Sequence, residues 1–147
     1  SPESGQSGFV MLLSHNDVSG MRSEPYFLIP VRARDENPIF WGWPGTFSPS
    51  PRSRMPERRI GVTIYIEGCE YFEERRIYWV EKRAEFRFVS PGIYQLGDKH
   101  AGDILHIIET SIGYNLVLIP PTDRRYPGLL KYAVNLSSYQ KKWGYIK

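Results

Sequence analysis

Residues 60–89, IGVTIYIEGCEYFEERRIYWVEKRAEFRFV, limit what this chain can fold into more than any other stretch. Ile60, Val62, Ile64 and Ile66 fall on every second position, the period of a strand with one buried face. Gly68 and Cys69 predict the turn that reverses the chain into YFEERRIYWVEKR, and a further strand follows through Phe88. A helix would scatter those isoleucines around its circumference, so the centre of the chain is a β-meander.

The flanking segments follow the same pattern. GFVMLLS (8–14) and PYFLIP (25–30) are short apolar runs, separated by HNDVSGMRSEP, a loop of about eleven residues rich in turn formers. GDILHIIE (102–109) and LVLIPP (116–121) predict two more strands around a SIGYN turn, and YPGLLKYA (126–133) suits a short helix or strand. Residues 31–58 form a long connector carrying Pro38, Pro44, Pro49, Pro51 and Pro56 around FWGWPGTF; such loops in compact domains are often functional. Trp41, Trp43 and Phe47 there can either cap a core or stack on a ligand. At 147 residues, with 14% aromatics, 13 glycines and 12 prolines, the chain suits one domain of short strands and many turns. The expected fold is mostly β: seven strands in a twisted, barrel-like sheet, with one or two short helices near 31–40 and 91–97.

Charge and cysteine usage narrow the function. The net charge is only +3, but the bases cluster: Arg52, Arg54, Arg58 and Arg59; Arg75, Arg76, Lys82, Arg83 and Arg87; Arg124 and Arg125; Lys141, Lys142 and Lys147. Glu67, Glu70, Glu73 and Glu74 gather elsewhere, which allows a basic face with an acidic back, or simply a solvated surface. Cys69 is the single cysteine, so an internal disulfide and a cysteine-based zinc site are excluded, and a reducing, cytoplasmic setting is expected. No apolar run approaches the roughly 20 residues that span a bilayer. The polar start SPESGQSG (1–8) reads as a linker remnant, leaving 9–147 as the domain.

Enzyme signatures are missing. No lysine follows an acid by two positions, as a metal-dependent nuclease motif would require, and no histidine begins His-x-Lys. There is no glycine-rich phosphate loop, HExxH or GxSxG. A nucleophilic Cys69 beside four glutamates would have a raised pKa, which disfavours it. No metal or cofactor is expected.

Two polar segments emerge from apolar strands, at about 14–26 and 75–90. Arg22, Arg83 and Arg87 have the fork that suits guanine O6 and N7; Asp17, Glu24, Glu81 and Glu85 can accept from cytosine N4; Asn16 can bracket adenine. Ser14, His15, Ser19 and Ser23 suit phosphates or bases, as do Lys82, Arg75, Arg76 and the basic loop with Arg52 and Arg54. Tyr139, Lys141 and Lys142 in the tail can lie along a phosphate backbone. Trp79 anchors the second segment. Carboxylates among these bases suit base readout better than a non-specific clamp. The bland alternatives are cross-strand salt bridges for 81–87 and an Asx turn for HNDVSG.

These blocks resemble the B-three-like (effector-binding) DNA-recognition domains of restriction endonucleases of the EcoRII, BfiI and NgoFVII/NgoAVII kind. Leu13-Ser14, Asn16-Asp17, a glycine-containing loop and Ile29-Pro30 look like that family's first DNA-embracing arm. Glu81-Lys82-Arg83, Arg87, Ser90-Pro91 and Gly102-Asp103-Ile104-Leu105 look like its second arm and the strand after it, and KKWGYIK resembles the closing segment of the BfiI-like members. The 31–58 insert has no counterpart and inherits no role. The resemblance implies a seven-stranded open pseudobarrel and two arms gripping one major groove of double-stranded DNA. It further implies a separate nuclease domain upstream in the same bacterial polypeptide, and the mix of Arg with Glu and Asp suggests a G·C-rich target. Two other readings stay open: a single-strand binder stacking bases on Trp41, Trp43, Tyr78 and Trp79, and a protein-interaction β-domain.

Overall fold

The computed structural model describes residues 7–19, 25–94 and 96–147. The chain is mostly β, a curled open sheet forming a half-barrel, with a few short helices. Its strands are β1 (Gly8–Leu12), β2 (Tyr26–Ile29), β3 (Ser48–Pro49), β4 (Pro56–Ile66), β5 (Cys69–Val80), β6 (Glu85–Val89), β7 (Ile104–Glu109), β8 (Gly113–Ile119), β9 (Asn135–Leu136) and β10 (Lys142–Ile146). The helices are α1 (His15–Val18), α2 (Val31–Glu36), α3 (Pro38–Trp41), α4 (Pro91–Tyr94) and α5 (Tyr126–Leu130). The order across the sheet is β2-β6-β5-β4-β8-β7-β1-β10-β9, with β3 paired to β4. Among the described residues ten strands replace the expected seven; β3 and β9 have only two residues each, and β10 comes from a tail whose charges masked its strand pattern.

The long meander behaves as its period demands. In β4, Ile60, Val62, Ile64 and Ile66 face the interior. The turn to β5 is one residue earlier than expected: Glu67 and Gly68 form the two-residue loop and Cys69 already pairs with Ile66. Both loop residues have positive φ (50° and 79°), the geometry that matches the twist of flanking strands, and Gly68 meets it without a Cβ penalty. β4 then runs parallel to β8, which makes the sheet mixed.

Each face of the sheet has its own core. The larger one, inside the curl, gathers Phe9, Phe27, Ile60, Val62, Phe86, Phe88, Leu116 and Trp143 around Trp41. The smaller one lies behind β1, β7 and β8, where Leu129 and Ala133 cover Val10, Ile108 and Val117. Close approach at β10 depends on Gly144: a Cβ there would lie 1.7 Å from the Tyr132 carbonyl oxygen.

The proline-rich connector is structured. α2 and α3 insert Trp41 into the curl of the sheet, edge-on to Phe9 at 5.3 Å and to Phe86 at 6.0 Å between ring centres. Trp41 Nε1 donates to Tyr145 Oη (2.9 Å), and Tyr145 Oη donates to the Ala33 carbonyl. Tyr114 Oη donates to the Phe40 carbonyl (2.6 Å) and accepts from Arg58 (2.8 Å). Burial pushes both tyrosine hydroxyls well above their ordinary pKa; for Tyr114, Arg58 pulls partly the other way, and for Tyr145 the Trp41 hydrogen bond does. Trp43 and Phe47 pack against the same core, so these aromatics follow the core reading.

An open sheet leaves two edges, and here a single side chain joins them. Lys141, immediately before β10, sends Nζ to the Leu28 carbonyl of β2 (2.8 Å) and to both carboxylate oxygens of Asp17 (2.9 and 3.2 Å). Both partners of this ion pair are buried. Asp17 also completes a capping box, its carboxylate accepting from the Ser14 N–H while Ser14 Oγ accepts from the Asp17 N–H. HNDV is therefore a helical turn, where the sequence predicted a loop. Lys141→Met should cost about 3–5 kcal/mol in urea unfolding, because it strands a buried carboxylate. Adding Asp17→Asn should recover much of that loss; a double variant as unstable as the two single costs summed would refute the coupling.

Candidate nucleic-acid interface

Behind β1, β7 and β8 the outer side of the sheet is covered by the α5 segment; the outer side of β2, β6, β5 and β4 carries a row of polar and aromatic side chains. Strand register decides which side chains make up that row. Leu28 lies opposite Arg87, Arg87 opposite Tyr78, and Tyr78 opposite Glu57, so alternate residues of four strands share one side. The inward alternates are Phe27, Phe86, Phe88 and Ile77, all buried.

The outward alternates form a continuous lattice of arginine, tyrosine and glutamate. The Arg87 guanidinium lies 4.3 Å from the Tyr26 ring centre, donates to Tyr78 Oη (3.2 Å) and forks onto Glu85 Oε1 (2.9 and 2.6 Å). Burial alone would lower the pKa of Arg87; the hydrogen bonds to Tyr78 and Glu85 outweigh it and raise the pKa further. Arg76 stacks on the other side of the row, 4.4 Å from the Tyr78 ring centre, and binds Glu57 (3.1 Å). Arg59 completes the line, 3.7 Å from the same carboxylate. Arg87, Arg76 and the carboxylates of Glu57 and Glu85 are thus paired on a largely buried surface, where such pairs order side chains before any ligand arrives, while Arg59 stays exposed at the end of the row. Beside this lattice, at Gly61, a hollow of about 540 Å³ opens between Arg59 and Arg76 on one side and Phe72 and Ile112 on the other.

Unpaired cations sit at the margins. β5 and β6 are joined by the short helical turn Glu81–Arg83, and Lys82 and Arg83 are exposed there with no hydrogen bond or ion pair among the described residues. Glu81 is held from below: Trp79 Nε1 donates to its carboxylate (2.5 Å), and Trp79 itself faces Arg34 at 4.3 Å, which also lies 4.4 Å from Trp43. The connector therefore braces the base of this turn. The loop with Arg52 and Arg54 projects between β3 and β4, both side chains exposed.

The remaining predicted site residues divide by placement. Ser14 is a helix cap; His15 is exposed and pairs with Asp98 (3.0 Å); Asn16 is exposed; Ser19 is half-buried. Arg22, Ser23 and Glu24 lie outside the described residues. Asp17 and Lys141, expected at the surface as a cytosine acceptor and a phosphate contact, are instead paired with each other inside the protein. Arg75 points to the inner side of β5, with Nε 3.6 Å from Glu73 and Nη1 donating to the Glu74 carbonyl. Glu73 in turn accepts from Ser90 Oγ and the Gly92 N–H, fixing the start of α4. Tyr139 and Lys142 are exposed beside the Lys141 closure. Sequence reading missed Tyr26 and Glu57 as members of the face; period-two positions were visible, but only the register aligns them with Arg87 and Arg76. Among the described residues no group of three metal-binding side chains is present, and no helix is long and apolar enough to cross a membrane.

The lattice predicts a separation of roles. Arg87→Met should destabilise the fold by more than about 2 kcal/mol, since it strands Glu85 and uncovers Tyr78. Arg83→Ala should stay within about 0.5 kcal/mol of the parent. Equal effects in chemical denaturation would show that the two arginines do not differ as described. The sequence matches no known family model and no curated protein.

Proposed function

We propose that the chain is a non-catalytic, sequence-specific recognition domain for double-stranded DNA, serving a restriction endonuclease whose nuclease activity resides in a separate domain of the same bacterial, cytoplasmic polypeptide. One observation carries this reading: the exposed Glu81–Arg83 turn, with one acceptor and two donors, stands on an ordered row of paired arginine, tyrosine and glutamate side chains. Base readout needs both signs of hydrogen-bonding group, whereas phosphates need only donors.

The dimensions support it. The connection between α1 and β2 meets the face at the Val89 end of β6, since Tyr26 pairs with Val89, and the Glu81–Arg83 turn borders it at the Glu85 end. Four residue steps at about 3.3 Å place these ends about 13 Å apart, close to the roughly 12 Å width of a B-DNA major groove. These two connections are the ones the family resemblance designates as arms. In this reading β1, β2 and β4–β8 are the seven strands of the pseudobarrel, and β10 is an addition.

Roles follow from freedom to move. Lys82 and Arg83 donate to bases, and Arg52, Arg54 and Lys142 fix the register on phosphates; Glu81, oriented by the Trp79 indole, accepts from cytosine through its other carboxylate oxygen. Arg87 and Arg76, their donors already engaged, hold the face in shape. A single-strand stacking mode loses two of its platforms, because Trp41 and Tyr78 are buried.

Selection from random duplexes followed by sequencing should yield one G·C-containing motif. Arg83→Ala should weaken cognate binding by about 1–3 kcal/mol and relax one base pair, while Lys142→Ala should weaken all duplexes alike and lower the salt slope by about one. Preference for single strands in competition, or no salt-dependent retention of duplex at about 100 mM salt, would overturn the proposal.

A further inference from the structure

Where the two sheet edges meet, a cleft of about 270 Å³ opens beside the Glu81–Arg83 turn. Ile29, Pro30, Phe86 and Trp143 give it apolar walls. Apart from Glu85, every polar side chain of its lining can donate a hydrogen bond. The Lys141 ammonium is committed to Asp17 and Leu28, and the Glu85 carboxylate to Arg87. The charges left on the rim are Arg32 and Arg83, neither of which forms an ion pair among the described residues. Ser137 Oγ already accepts from the backbone N–H groups of Tyr139 and Lys141, so what it has left to offer is its O–H. The Trp143 indole N–H has no acceptor among the described residues either.

We propose that this cleft binds a small organic anion with an apolar body, an aryl carboxylate or an aryl phosphate monoester, its charge between Arg32 and Arg83. Donors without acceptors select an anion, because an acceptor-bearing neutral ligand forgoes the charge-assisted bonds. A volume just below that of ordinary drug-sized pockets selects a ligand of one or two rings. Resting on the DNA reading above, one consequence is competition: a ligand that occupies Arg83 removes it from duplex contact.

The test titrates 2-naphthoate, 1-naphthyl phosphate and the neutral 2-naphthylmethanol into the ¹⁵N-labelled chain without DNA. Amide shifts should concentrate at 28–32, 83–86 and 136–143 and include the Trp143 indole. The anions should bind about tenfold more tightly than the alcohol, and Arg32→Gln or Arg83→Gln should each remove about that factor, with the alcohol unaffected and the unliganded spectra preserved. Equal affinities for anion and alcohol, scattered shifts, or anion binding indifferent to both substitutions would overturn the proposal. Because no duplex is present, that failure leaves the DNA reading standing, and failure of duplex binding leaves this site standing.

Discussion

A curled but unclosed sheet has to neutralise two edges, and in this protein the buried Lys141 ammonium does so. It reaches from the strand next to one edge to a carbonyl on the other, and its charge is matched by Asp17 from the first helical turn. Backbone pairing cannot close this gap, and a lysine can, because its long stem carries three donors across a distance no ladder hydrogen bond spans. Everything near the proposed function hangs on that junction. β2 is held against it, the Glu81–Arg83 turn overlooks it, and α1 is the root of the connection leading to β2.

The proline-rich connector plays the matching part at the other side of the curl. Trp41 fills the curl of the sheet, and the Arg34 guanidinium joins Trp43 to Trp79 at the base of the β5–β6 turn. Five charged residues fall within the seven positions of this turn and the start of β6. Here the turn's exposed tip stands on a stacked aromatic-arginine foundation, so Lys82 and Arg83 can remain unpaired without loosening the strands beneath them. Stability and solvent-facing chemistry are thereby assigned to different arginines of the same segment.

Much of the candidate site was legible as residue type and little of it as arrangement. The charged stretch 75–90 drew attention for its arginines and glutamates, yet its members part company in the fold. Arg75 turns inward toward Glu73, Arg76 and Arg87 lock onto tyrosines and glutamates, and Lys82 and Arg83 form no ion pair among the described residues. Asp17 and Lys141, 124 positions apart, looked like two surface contacts and form one buried pair. No local signal marks such a pair, because each residue alone is ordinary for a surface and burial arises only from the other.

What the sequence determined by itself was the local structure: the alternation at Ile60, Val62, Ile64 and Ile66, the tight turn near Gly68, and a short helix near 31–40. These follow from one residue's relation to its near neighbours, so period and turn chemistry suffice. What only the tertiary structure decided was register and closure. Pairing Tyr26, Arg87, Tyr78 and Glu57 across four strands, and bridging β2 to the tail through Lys141, are relations between residues distant in the chain. They depend on which strands become neighbours and by how many residues they slide, and a slide of one residue would turn each of these side chains to the opposite face.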